Sequence, residues 1–264
     1  MQATQLLQHI DTGQPWPTGA GDGFTALPTA YQAALAVRAL RQARGEQPRG
    51  YKIGFTNRGI WARYQVFAPI WGTVWDSTLR FAKDGPTLSL AHTCQPRIEP
   101  EVVFAFRHTP PAGCGAEELF DALDWLAPGF EVVQSHQPDW KFTPAQTVAD
   151  SGLHARLLVG DAVPVRALAA NATLLHERLA RTQATLRHGN QVVDQGSGAL
   201  VLDSPLHALL HFLGELRACP GAPDVQAGDV VTTGTWTDAW PVAPGQDWSV
   251  AFSDGVPGLA VRFV

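Results

Sequence analysis

Only three cysteines, Cys94, Cys114 and Cys219, occur in this chain of 264 residues, and their odd number without any C-x-x-C spacing speaks against a disulfide framework or a thiol metal knuckle. Charge is sparse as well. Charged residues make up 16% of the chain, the formal net charge is -5, and there is no basic run, so neither nucleic acid nor an anionic membrane surface is indicated as a partner. No apolar stretch approaches the roughly 20 residues that a bilayer-spanning helix needs. The opening Met1-Gln-Ala-Thr-Gln is polar and does not begin a secretory leader. These absences predict a cytoplasmic protein whose partners are small molecules and copies of itself. What is present is a hydrophobic fraction of 45% on a chain long enough for one large domain, or for a catalytic domain with a small appendage.

Along the chain, a short helix is expected over residues 2 to 10, followed by the Gly/Pro-rich loop from Thr12 to Gly23. A second helix begins at Thr29, places Tyr31, Leu35 and Ala39 on one stripe, and stops at Gly45. Arg38, Arg41 and Arg44 then form its solvated face. Beyond residue 50 the texture changes to short runs of Val, Ile, Phe and Trp divided by Gly and Pro, with helical interruptions near 116 to 127, 165 to 180 and 204 to 217. This is the pattern of a β-rich α+β protein. The division falls between a small N-terminal region, 1 to 75, and a main domain, 76 to 264.

The chemistry begins at Arg97-Ile-Glu99-Pro-Glu101. Strand side chains two apart share a face, so Glu99 and Glu101 project together while Pro100 turns away. Val-Val-Phe-Ala-Phe follows, as a core strand would, and sets the two acids at its entrance. A third carboxylate, Glu131, stands in Gly129-Phe-Glu131-Val-Val. Three carboxylates without His or Cys favour Mg²⁺ or Mn²⁺ over Zn²⁺. An ordinary edge strand carrying solvated acids is the alternative.

Three further stretches are chemically unusual. Lys52 lies inside the apolar, glycine-flanked Gly50-Tyr-Lys52-Ile-Gly54, where a desolvated ammonium is expected to lose its proton more readily unless it snorkels to water. The segment from Ser135 to His154 crowds polar groups into a glycine- and proline-punctuated loop, with His154 either a structural histidine or a general base. In Gly228-Asp-Val-Val-Thr232-Thr233-Gly234, a strand ends in hydroxyls and exposed N–H groups that could hold a carboxylate, or that simply form a turn.

Taken in order and spacing, these segments resemble the 2-keto-4-pentenoate hydratase and 4-oxalocrotonate decarboxylase group of the fumarylacetoacetate hydrolase superfamily. The resemblance covers most of the chain. It runs through Tyr-Lys52-Ile-Gly-Phe-Thr, Gly72-Thr-Val-Trp-Asp76, Arg97-Ile-Glu-Pro-Glu101, Glu131, Asp139-Trp-Lys141, Thr147-Val-Ala-Asp150, Gly196-Ser-Gly-Ala-Leu and Gly228-Asp-Val-Val-Thr-Thr-Gly. It implies a mixed β-roll preceded by a small N-terminal α/β region, with Mg²⁺ or Mn²⁺ on Glu99, Glu101 and Glu131. It also implies 2-oxo or 2-hydroxydienoic acid substrates that chelate the metal through their carboxylate and 2-oxygen. Lys52 and Asp76 would line the pocket and supply proton transfer, Thr233 and Gly234 would contact the substrate, and Lys141 falls at a family lysine.

The implied reaction is addition of water to a 2-hydroxy-2,4-dienoate, with negative charge on the C2 oxygen stabilised by the cation. Decarboxylation of a 2-oxo-3-enedioate needs the same enolate and is the nearest alternative. Where the family reads Val-Ala-Asp-Asn-Ala-Ser-Ser, this chain reads Val-Ala-Asp150-Ser-Gly-Leu-His154, which places a histidine at a pocket serine. As a base, His154 would move the enzyme toward C–C hydrolysis of an acylpyruvate. The aromatic stretch Trp61 to Trp71 would suit a larger apolar substrate tail or a subunit interface. A homo-oligomer is expected, alone or associated with a pathway enzyme, and a non-catalytic partner subunit is the reading outside enzymology.

Overall fold

Strands of this chain that are distant in sequence pair into a sheet that curls on itself. The structure, a computed structural model, describes the backbone of residues 1–264 and every side chain except those of Arg63 and Tyr64. Helices α1 (Ala3–Thr12) and α2 (Leu27–Ala43) lead into strand β1 (Pro48–Gly54). Short helix α3 (Trp61–Tyr64) and strands β2 (Ile70–Trp75), β3 (Leu79–Phe81) and β4 (Thr87–Leu88) follow. Next come β5 (Arg97–Phe106), α4 (Ala116–Ala122), β6 (Leu123–Val133), α5 (Pro144–Ala149) and β7 (His154–Val159). The chain continues with β8 (Val163–Pro164), α6 (Val165–Leu168), α7 (Ala172–Arg181), β9 (Gln183–His188) and β10 (Gln191–Ser197). It closes with α8 (Pro205–Ala218), β11 (Val230–Thr232), β12 (Trp240–Pro241), β13 (Asp247–Phe252) and β14 (Leu259–Phe263).

The main sheet has nine strands, seven of them in the order β2-β1-β11-β5-β6-β7-β3, with β12 paired to β5 and β8 to β6. Its two outer strands, β2 and β3, are consecutive in the chain, and the Thr78 carbonyl between them accepts from the Leu157 amide on β7 at 2.9 Å. The sheet therefore bends round until its edges meet. A second, five-stranded sheet runs β10-β9-β13-β14-β4. The result is the mixed α+β curled sheet expected of the fumarylacetoacetate hydrolase-like roll. Because β1 and β2 belong to the main sheet, the division at residue 75 falls within it.

Side-chain alternation divides the core in two. A large cluster includes Ile98, Val102, Phe104, Phe106, Phe130 and Val132, against which the helices pack. The opposite face carries a small cluster of Val74, Val103, Ala105, Ala127, Leu157, Val159 and Val230. Glu99 and Glu101 stand in the same alternate row as Val103 and Ala105. The acids thus continue an apolar row inside the curl.

Two local expectations are corrected. Residues 123–127, read as helical, open β6, where Leu126 pairs with Phe104 and Val163 and tertiary burial overrides propensity. Arg41, expected in solvent, is 6% exposed because its guanidinium lies 4.5 Å from the Trp75 ring centroid and pairs with Glu46. Arg38 likewise bonds Thr73 at 3.0 Å. The three cysteines are free. Among the described residues, no helix is long and apolar enough to cross a membrane.

Candidate metal centre and active site

Register brings the three glutamates together. In the antiparallel pair β5–β6, Glu99 lies opposite Glu131 and Glu101 lies opposite Gly129. Cross-strand partners share a face, so Glu131 joins the face that Glu99 and Glu101 already occupy. One oxygen from each of the three lies within 4.8 Å of the others. On the far side of β5, β11 pairs with residues 103–105 and β12 with 97–98, which leaves the Glu99–Val102 edge to the loop after β11. Pro100 is tolerated in that gap because no ladder N–H is required of it. The same gap lets the Gly234 N–H donate to Glu101 Oε2 at 2.6 Å.

Gly234 has φ +98°, and a Cβ there would lie 1.9 Å from Thr56 Oγ1. Thr233 donates its hydroxyl to the Val102 carbonyl at 2.8 Å. The threonine-glycine strand end therefore reaches the cluster through a backbone amide, with Thr233 bracing it from below.

Lys52 is 3% exposed on β1, with Nζ 3.2 Å from Glu131 Oε2 and donating to the Gly152 carbonyl at 2.9 Å. Burial alone would strip its proton, but Glu131, Glu99 and Glu101 outweigh burial and raise its pKa above the ordinary lysine value. The expected fall is reversed because three carboxylates surround the ammonium. Burial together with Glu131 and Glu99 pushes Glu101 well above the usual carboxylate range. Burial lifts Glu99 to about 7, with Lys52 opposing and Glu131 reinforcing. Burial also acts against ionised Glu131, yet Lys52 and His154 hold that carboxyl below its ordinary value.

His154 opens β7. Its Nδ1 is 2.8 Å from Glu131 Oε1, and its Nε2 is 2.9 Å from Thr78 Oγ1. Burial is the largest influence on the ring and lowers its pKa, which leaves the imidazole neutral. A neutral ring has one proton, and a carboxylate demands it at Nδ1; Nε2 then accepts from the Thr78 hydroxyl. The Trp75 amide donates to the same hydroxyl oxygen at 3.1 Å. Both ring nitrogens are engaged, so neither is free to activate water. In this geometry His154 is arranged to orient Glu131.

Two sequence-based site residues stand apart from this cluster. Asp76 is exposed beyond β2, where Oδ1 accepts from the Gln47 amide at 3.1 Å. Lys52 pairs with Gly72 whereas Pro48 pairs with Trp75, so Asp76 caps the opposite end of the β1–β2 hairpin. Lys141 has a side chain 82% exposed and lies 3.6 Å from Asp139. It follows a turn that is anchored by Trp140, whose ring stacks 4.1 Å from the Arg97 guanidinium, and that leaves the lysine in solvent. Within the aromatic stretch, Trp71 stacks on Tyr31 at 4.5 Å in the large core, while Phe67 is 77% exposed. The Arg63 and Tyr64 side chains of that stretch lie outside the described residues. Thr78 and the Gly152 carbonyl were not anticipated; a lone threonine and a backbone oxygen leave no signature in spacing.

The donor set fits a hard divalent cation. Glu101 Oε1 is buried without a hydrogen-bond donor, as is Glu131 Oε2 apart from its ion pair with Lys52. When all three carboxylates are ionised, as they would be around a cation, the single ammonium leaves two negative charges unmatched, which one divalent cation would neutralise.

No family model matches the chain. It is 30% identical over 272 residues to 4-oxalocrotonate decarboxylase of Pseudomonas sp. strain CF600, covering 100% of this chain and 97% of that one. It is 30% identical over 237 residues to 2-hydroxyhexa-2,4-dienoate hydratase of Comamonas testosteroni, covering 89% of this chain and 85% of the relative. Its structure superimposes with TM-score 0.84 and 26% identity on 4-oxalocrotonate decarboxylase from Pseudomonas putida G7 complexed with magnesium and adipate, over 99% and 97% of the two chains.

Proposed function

The chain belongs to the 2-keto-4-pentenoate hydratase and 4-oxalocrotonate decarboxylase group of the fumarylacetoacetate hydrolase superfamily, and we propose that it is a divalent-metal-dependent hydratase of a 2-hydroxy-2,4-dienoate. The observation that carries this reading is the convergence of Glu99, Glu101 and Glu131 with Lys52 in one buried cluster. The three glutamates would hold Mg²⁺ or Mn²⁺, and that cation supplies Lewis-acid stabilisation of negative charge on the C2 oxygen of a chelating 2-oxo acid.

The chain's own groups supply position and protons. The Gly234 N–H and the His154 ring fix one oxygen each of Glu101 and Glu131, so the carboxylates are oriented before any ligand arrives. Hydration of 2-hydroxypenta-2,4-dienoate moves the hydroxyl proton to C5, then adds OH to C4 and H to C3, giving 4-hydroxy-2-oxopentanoate. Lys52 Nζ, whose protonated form its carboxylate neighbours favour, would pass protons to carbon. The small apolar row of Val103, Ala105 and Ala127 excludes bulk water beneath it.

Decarboxylation of a 2-oxo-3-enedioate is a second reading, favoured by the end-to-end likeness to 4-oxalocrotonate decarboxylases in both sequence and structure. It needs the same charge stabilisation and no water. The engagement of both His154 nitrogens speaks against acylpyruvate hydrolysis with His154 as its base. The deciding experiment follows products by NMR with Mg²⁺, with and without chelator, from 2-hydroxypenta-2,4-dienoate and from its 5-carboxy analogue. Chelator-sensitive 4-hydroxy-2-oxopentanoate establishes the hydratase, whereas CO₂ from the 5-carboxy substrate alone selects the decarboxylase. Inertness toward both rejects the proposal.

A further inference from the structure

From Asp150 to His154 the chain makes a turn that no helix or strand would impose. Ser151, Gly152 and Leu153 have φ of +56°, +66° and +65°, three successive left-handed residues of which two carry side chains. Such a conformation persists only where its surroundings hold it. Everything this turn presents at its tip serves the carboxylate cluster. The Gly152 carbonyl accepts from Lys52 Nζ at 2.9 Å, and His154, immediately after the turn, bonds Glu131 at 2.8 Å.

The support comes from a buried pair outside the cluster. Asp150 Oδ2 accepts from the His136 backbone N–H at 2.8 Å, and Oδ1 lies 2.6 Å from His136 Nδ1. Both side chains are almost wholly buried, at 0% and 2% exposure. The His136 carbonyl accepts from the Trp16 amide at 2.7 Å, and the His136 ring stacks on the Trp16 ring, so the loop after α1 seals the pair from water. With the Asp150 carboxylate fixed, the turn closes through Leu153 N–H to the Asp150 carbonyl at 2.9 Å and is tied to β6 by Gln134 N–H to the Leu153 carbonyl at 2.8 Å. Gly72 completes the seat, since a Cβ there would lie 2.2 Å from the Ser151 carbonyl oxygen.

We infer that His136 and Asp150 are positioning residues that clamp the 150–154 turn, and that through it they set the location of the Lys52 ammonium and the orientation of Glu131. The functional half of this inference rests on Lys52 as the proton-carrying group proposed above; the structural half does not.

The test exploits lysine scarcity. Lys52, Lys83 and Lys141 are the chain's lysines, and the latter two are exposed. In metal-free protein labelled at lysine, the ammonium resonance that Lys52→Met removes belongs to Lys52, and its burial gives slow exchange with water. His136→Leu and Asp150→Asn each break the clamp; His136→Asn keeps a side-chain N–H near the place of Nδ1. The expected result is Lys52 ammonium exchange faster by roughly tenfold or more in the first two variants and near wild type in His136→Asn. With Mg²⁺ and substrate, kcat falls by a similar factor while KM stays within about threefold, and His136→Asn restores it. Unchanged Lys52 exchange in folded His136→Leu and Asp150→Asn overturns the inference. So does failure of both to fold, because the pair would then belong to the global fold and not to a local clamp. Should the wild type prove inert on every dienoate, the proposed function fails, yet the exchange measurement still decides the clamp.

Discussion

His154 Nδ1 meets Glu131 Oε1 at 2.8 Å across the β6–β7 pair, and this contact ties the geometry of a carboxylate proposed to hold the cation to an imidazole whose other nitrogen is held by Thr78. A residue in this position acts on affinity through the ligand it orients, and loss of such a partner typically costs about 10- to 100-fold in metal affinity. His154→Ala is therefore expected to weaken Mn²⁺ or Mg²⁺ binding by about that factor in titration calorimetry. A general base would show the opposite division, with metal affinity intact and turnover lost.

Gly234 supports a second prediction. Its φ of +98° is a left-handed conformation, and an added Cβ would collide with Thr56 Oγ1 at 1.9 Å. Gly234→Ala must shift either the loop or Thr56, which carries the amide away from Glu101. A destabilisation of about 1–3 kcal/mol in denaturant unfolding is expected from the strain, accompanied by weaker metal binding. A variant with wild-type stability and metal affinity would show that the loop relaxes without cost.

How much of this site was visible in the residues depends on the range of the interaction. Glu99 and Glu101 are two apart on a strand, so their shared face follows from alternation alone. Glu131 could be read as a third carboxylate, but it joins the pair only through the β5–β6 register, which spacing does not reveal. Lys52 could be read as buried, but the direction of its pKa could not, because that depends on three carboxylates from other strands. Asp76 and Lys141 illustrate the converse: each stands at a position matching the family pattern, yet hairpin geometry and a Trp140-anchored turn leave both outside the cluster. The fold was legible where periodicity was long, as in α2 and α8. It was not at residues 123–127, whose helical composition yields to pairing with β5.

Glu46 provides a pH dependence away from the site. Burial acts to raise its pKa, but hydrogen bonds from Arg41, Ser77 and Arg44 and the charge of Arg41 prevail and hold it at about 2 against an ordinary 4.5. A depressed folded value means stability that is fully present above 4.5 and is lost as pH falls toward 2. Glu46→Gln should lower the melting temperature at neutral pH and flatten its fall across that acidic window, as scanning calorimetry would register. An unchanged slope would mean that the bridge from α2 to the β2–β3 turn contributes nothing to acid stability.

Glu101→Gln separates metal binding from folding. In the metal-free chain, burial and the two neighbouring glutamates push Glu101 well above the usual carboxylate range, which favours the neutral carboxyl that glutamine imitates. Its side-chain oxygen can still accept from the Gly234 N–H. The melting temperature in chelator should therefore match the wild type or exceed it. Added Mg²⁺ stabilises a folded protein by RT ln(1 + [L]/Kd), about 2.7 kcal/mol at a hundredfold excess over Kd. The wild type should show that rise and Glu101→Gln should lose it, since a neutral amide removes one of the two unmatched negative charges that make the site complementary to a divalent cation. An equal Mg²⁺-induced shift in both proteins would place the cation elsewhere and remove the basis for the proposed chemistry.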